Sequence, residues 1–136
     1  MLIKLRTGIR VLILVCIFST LPGCAGSIAE LEDYLGLYRV IKIRENGTIL
    51  NIDVLTLIEL NDELYISSID RNDDQQISED EKTATSYSFH LDEDNNPFLM
   101  INNIDRAVEL LPDHHYDLLL KKIDQFGNET VIYLKK

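Results

Sequence analysis

Ile43-Arg44-Glu45-Asn46-Gly47-Thr48-Ile49-Leu50 decides how this chain folds. Asn-Gly between two runs of β-type residues is the strongest short-range hairpin signal, because both residues tolerate the positive φ that a two-residue turn demands. The run before it, 37–44, is rich in Val, Ile and Tyr. The return run, 49–60, places Ile52, Val54, Thr56, Ile58 and Leu60 on one face. Asn61-Asp62 reads as the next tight turn and 64–69 as a third strand. Leu64, Tyr65, Ser68 and Ile69 would also share a helical face, but Tyr65, Ile66 and Ile69 are better strand formers, so a strand is expected.

The same grammar continues downstream. Tyr87, Phe89 and Leu91 alternate with Ser86, Ser88 and His90, the period-two pattern of a half-buried strand. Residues 92–97 form a turn, and short strands are expected over 98–101, over 106–111, and on the face marked by Tyr116, Leu118 and Leu120. A loop at 126–129 and a last strand over 130–134 complete the series, with Lys135 and Lys136 blunting the end. About eight short strands at spacings near ten residues indicate an all-β fold, a small antiparallel barrel or sandwich with an up-and-down meander. The Gly36-Leu37-Tyr38 opening and the closing Gly127-Asn128 hairpin resemble small lipocalin-like barrels. That resemblance implies an apolar pocket for a small ligand, lined by Tyr87, Phe89, Phe98 and Tyr116.

Upstream of the β region the chain changes character. Lys4, Arg6 and Arg10 precede an uncharged apolar run over 11–18, too short to span a bilayer, which needs roughly 20 apolar residues. Residues 1–23 therefore read as an export signal helix, 24–35 as a linker with Ser27 as N-cap and Glu30 at the capping-box position, and 36–136 as one β domain. Leu21-Pro22-Gly23-Cys24 resembles the lipobox of bacterial lipoproteins, with Pro22 a departure from the usual pattern. The resemblance implies cleavage before Cys24, acylation of its thiol with fatty chains such as palmitate, and anchoring to the cell envelope. Ala25 in place of Asp favours the outer membrane.

Cleavage would leave ten Lys and Arg against 23 Asp and Glu, a net charge of −13 in place of the full chain's −10. Such a balance repels nucleic acid and anionic headgroups and attracts cations or basic proteins. Cys16 would depart with the signal and Cys24 be consumed by lipid, leaving the mature domain no thiol for a disulfide or a nucleophile. The sequons at Asn46 and Asn128 would be idle in a bacterial lipoprotein. No nucleophile elbow and no HExxH appears, so an enzyme is not expected.

One stretch breaks the β pattern: Asp70-Arg71-Asn72-Asp73-Asp74-Gln75-Gln76-Ile77-Ser78-Glu79-Asp80-Glu81. Asp70, Asn72 and Asp74 fall at alternate positions and Glu81 closes the run, a density of oxygens that suits a hard cation. The stretch resembles an EF-hand calcium loop, which implies a ligand set of Asp70, Asn72, Asp74, the backbone carbonyl of Gln76, Ser78 and a bidentate Glu81. Two features depart from the pattern. Gln75 replaces the sixth-position glycine, and Lys82 stands where an apolar residue starts the exiting helix. The flanks favour a loop inserted between strands. A second metal constellation, His114-His115 with Asp113 and Asp117, suits zinc or copper in ligand type, but adjacent strand histidines point to opposite faces. The expectation is a non-enzymatic envelope lipoprotein that binds calcium through this loop, the alternatives being a lipocalin-like carrier or an acidic partner of a basic envelope protein.

Overall fold

The computed structural model describes residues 28–102 and 107–136. The export signal, Cys24, Ser27 and Arg106 lie outside the described residues.

The Asn-Gly hairpin forms as its chemistry requires. β1 (Gly36–Glu45) pairs antiparallel with β2 (Thr48–Asn51), Glu45 opposite Thr48. The turn residues Asn46 and Gly47 take φ of 48° and 85°. There follow β3 (Thr56–Leu60), β4 (Leu64–Ile69), β5 (Lys82–Leu91) and β6 (Pro97–Ile101). β7 (Ala107–Leu111), β8 (Leu118–Ile123) and β9 (Glu129–Lys135) complete the series. β3 to β9 form an antiparallel meander, and β1 pairs with both β3 and β9, closing the sheet into an all-β barrel.

β2 and β3 lie end to end along one edge of β1. β2 takes residues 42–45 and β3 takes residues 36–39. The barrel therefore has eight strand positions, with β2 as an extension beyond the rim. This corrects the expectation of one continuous strand over 49–60. Residues 52–55 leave the ladder, and their polar groups bond elsewhere: Leu55 accepts from the Asp70 N–H at 2.9 Å, and Val54 from the Thr56 hydroxyl at 3.2 Å. Ile58 and Leu60 are buried in the core, and Ile52, though outside the ladder, still packs against it, while Val54 is half-buried.

Inside, Tyr38, Ile58, Leu60, Leu99, Leu110, Leu118, Leu120 and Leu134 are all buried and packed in one cluster. Eight strands enclose a space that side chains can fill or that can hold one small ligand. Two aromatic assignments need correction. Tyr87 and Phe89 pack inward, but Leu99 is the inward residue on β6, so its neighbour Phe98 stacks outside on His90 at 5.4 Å. Tyr116 precedes β8 and meets Tyr133 edge-on at 5.0 Å outside the barrel. The expected four-aromatic pocket lining is therefore not assembled. Glu30, expected as third residue of a turn capped by Ser27, is itself the cap of a 3₁₀ turn (Leu31–Asp33), and its N–H donates to the Asp33 carboxylate at 3.0 Å.

The meander sorts the connections between two rims. At one rim lie the start of β1, the β3–β4, β5–β6 and β7–β8 turns and the end of β9. Tyr34 and Leu35 pack against the core there, and the Tyr38 hydroxyl donates to the Tyr34 carbonyl at 2.7 Å. At the opposite rim lie the β1–β2 hairpin, the 52–55 break, the β8–β9 turn and the acidic connection 70–81 between β4 and β5.

Candidate cation-binding loop

β4 delivers Asp70 and β5 takes the chain away at Lys82, so strands frame the acidic segment on both sides. Tyr65 on β4 packs toward the core, and its burial pushes the phenol up to about 12. The strand assignment of 64–69 is the one found.

Asp70 is fully buried (0% exposed) although it opens a segment of solvated residues. Its carboxylate is solvated by backbone: Asp74 N–H donates to Oδ1 at 3.3 Å and Gln75 N–H to Oδ2 at 2.8 Å. Gln75 reaches that oxygen with φ of 63°, the left-handed conformation that the glycine of a calcium loop takes freely. Asp73 is left-handed as well, at φ 56°. Between them the chain coils tightly. Asp74 N–H approaches Asn72 Oδ1 at 3.4 Å, Gln76 N–H donates to Asp74 Oδ1 at 2.9 Å, and Gln75 Nε2 donates to Asp73 Oδ1 at 3.1 Å.

Glu81, the other end of the run, is 6% exposed. Its Oε1 accepts from Arg71 N–H at 2.9 Å and its Oε2 from Ser78 N–H at 3.0 Å. The Ser78 donor, the Arg71 donor and the remaining local hydrogen bonds hold the Glu81 carboxyl below its ordinary value of 4.5. Ser78 and Glu81 also form an S-x-x-E capping box on a 3₁₀ turn (Glu79–Glu81), a signature that the sequence itself displays. The Ser78 hydroxyl donates to Asp80 Oδ1 at 2.5 Å, the first cause of the lowered Asp80 carboxyl. Lys82 pairs with exposed Glu79 at 2.8 Å, which raises its ammonium.

Two buried carboxylates thus stand at the neck of the loop. Arg71 N–H, which binds Glu81, belongs to the residue after Asp70, so Glu81 is anchored beside the start of the loop while Asp70 takes the N–H groups of Asp74 and Gln75. Neither makes a salt bridge among the described residues. Buried charge is costly without a counter-charge, and backbone N–H groups supply only dipoles. The donor set suits calcium in type, since each carboxylate oxygen keeps a lone pair beyond its N–H bond. Among the described residues, no three His, Cys, Asp or Glu side chains already stand grouped as metal ligands. Asp70, Glu81 and their backbone donors are brought together. Asn72, Asp74, Gln76 and Ser78 are turned to partners within the loop.

The histidine constellation resolves differently. His114 and His115 lie in a turn, not a strand. Asp113 Oδ1 accepts from the N–H of His115 at 2.7 Å and of Tyr116 at 3.2 Å, and these bonds, the first foremost, lower its carboxyl. Two surface concavities flank the first rim: one of about 430 Å³ beside the β3–β4 turn, lined by Leu35, Leu60 and 61–64, and one of about 200 Å³ beside Asp92, Asn96 and Phe98. No protein-family model matches the chain, and neither a curated protein nor a solved structure matches it significantly.

Proposed function

We propose that this chain is a lipid-anchored protein of the bacterial envelope, outer-membrane in location and non-enzymatic, whose barrel carries a calcium-binding loop at 70–81. The observation that supports the calcium loop is the pair of buried carboxylates, Asp70 and Glu81, held by backbone N–H groups and with no salt bridge to either among the described residues. A divalent cation would supply the missing positive charge. Asp70, Asn72, Asp74, the Gln76 carbonyl, Ser78 and Glu81 would hold it, drawing the loop side chains inward from their local bonds. Cys24 would carry the lipid, and the chain would enter the barrel at the rim opposite the loop, leaving the loop on the side away from the tether.

Calcium outside the cell is abundant, and extracellular modules bind it with dissociation constants of roughly 10⁻⁴–10⁻³ M. A constant of about 1 mM would add about 1.4 kcal/mol of stability at 10 mM calcium. Isothermal calorimetry on the protein should give calcium binding in this range, lost in Glu81→Gln. Absence of heat together with an unshifted thermal midpoint at 10 mM calcium overturns the reading.

A further inference from the structure

The ten cations that follow Cys24 are not spread evenly over the acidic chain. Seven of them, Arg39, Lys42, Arg44, Lys121, Lys122, Lys135 and Lys136, belong to three neighbouring strands, β8, β9 and β1, or to the terminus directly after β9. Register puts five on one face. Arg39 lies opposite Lys135, Lys42 opposite Tyr133, and Arg44 opposite Val131, which on its other side faces Lys121. The ladder slips between Val40 and Lys42, so Val40 points into the core while Lys42 and Arg44 rejoin the outer face.

That outer face has its own small apolar floor. Val131 and Tyr133 are buried, yet they lie outside the barrel core. The long cationic side chains roof them: Lys42 Nζ lies 4.3 Å from the Tyr133 ring centroid and 5.2 Å from that of Tyr116, and Arg44 lies 5.9 Å from that of Tyr133. The charged ends of Lys42 and Arg44 are therefore held close over the sheet, half-buried on the aromatic rings. Glu129 is the acid within the patch, 3.6 Å from both Arg44 and Lys121, and Glu109 borders it opposite Lys121. Asp117 is turned to the N–H of Lys136. Exposed Glu59 on β3, diagonal to Arg39, is a further bordering acid. Five cations against Glu129 within the face and Glu59, Glu109 and Asp117 at its borders leave it positive by one, over about 13 Å along the strands and about 10 Å across them.

We propose that this face docks the barrel on the anionic phospholipid headgroups of the membrane that holds it, a step that rests on the tether at Cys24. Two facts select that partner. The chain outside the described residues joins the barrel at the start of β1, the strand that itself carries Arg39, Lys42 and Arg44. The residues 24–30, ahead of the 3₁₀ turn, can span up to about 23 Å, enough for the barrel to lie on its side. The overall negative charge does not prevent this, because charges on the far side of the barrel are screened beyond a Debye length of about 8 Å at physiological salt. Net charge alone implies repulsion from such a membrane; the register of three strands reverses the sign locally.

The test is amine labelling of the full protein in vesicles of phosphatidylcholine alone and of phosphatidylcholine with phosphatidylglycerol, read residue by residue by mass spectrometry. Lys42, Lys121 and Lys135 should label at least about threefold more slowly with phosphatidylglycerol present, with Lys82 unchanged and the protection removed by 1 M salt. The double variant Arg39→Glu/Lys135→Glu, which leaves the Tyr133 roof intact, should lose the protection of Lys42 and Lys121. Equal labelling in the two vesicle types overturns the proposal. So does protection that rises with protein concentration in both, which would assign the face to a second copy. The mass of the Cys24 peptide reports acylation separately, so failure of the tether and failure of the docking face are distinguishable.

Discussion

The backbone N–H of Gln75 donates to Oδ2 of Asp70 at 2.8 Å, and Gln75 adopts φ of 63° to do so. A buried carboxylate thereby gains a donor five residues along, at the expense of a left-handed residue that carries a Cβ. The conformational cost is of order 1–2 kcal/mol. Gln75→Gly should therefore raise the thermal midpoint, by about 4–8 °C per kcal/mol recovered in a domain of this size, less the entropy that glycine adds to the unfolded chain. The same substitution should tighten calcium binding. A lower midpoint in thermal denaturation would show that Gln75 contributes contacts that outweigh its strain.

Glu81 links the loop to pH. Its carboxyl is held below the ordinary 4.5 by the N–H groups of Ser78 and Arg71. A folded-state value below the unfolded one means the unfolded chain takes up the proton first as pH falls. The contribution of Glu81 is therefore complete above about pH 4.5 and is lost as pH drops through its lowered folded value. Thermal midpoints between pH 7 and pH 3 should fall more steeply in the native protein than in Glu81→Gln. Parallel curves would show that the Glu81 charge does not matter to the fold.

The barrel core and the extension strand should respond oppositely to truncation. Leu99 is 0% exposed, and Leu99→Ala should cost about 2–5 kcal/mol in urea denaturation. Ile49 on β2 is 56% exposed, and Ile49→Ala should stay within about 0.5 kcal/mol. A large loss at Ile49 would mean that β2 is covered by something beyond the barrel.

Much of the architecture was legible from local chemistry. Asn46-Gly47 announced its hairpin, the alternation of Tyr87, Phe89 and Leu91 announced β5, and 64–69 resolved as a strand because aromatic and β-branched residues outweighed a helical spacing. What misled was nonlocal. Ile52 and Val54 continue the period of Ile58 and Leu60, but the Leu55 carbonyl is taken by Asp70 from the next connection, so the ladder breaks. Tyr116 and Phe98 look like core aromatics, yet one is roofed by Lys42 and the other stacks on His90 outside the barrel. In the acidic loop, spacing identified Asp70 and Glu81 as its ends. Their burial against backbone N–H groups depends on the 3₁₀ turn and two left-handed residues, which composition does not reveal. The cationic face was hidden for the same reason, since only the slip at Val40 brings Lys42 and Arg44 into line with Lys121.

The most direct measurement is a calcium titration followed through the backbone amide signals of the isotopically labelled protein. Gln75 and Arg71, whose N–H groups bind the two buried carboxylates, should shift saturably below about 10 mM calcium, while amides of the β6–β7 ladder stay fixed. Amides of Gln75 and Arg71 that remain unmoved to that concentration would contradict calcium binding at 70–81.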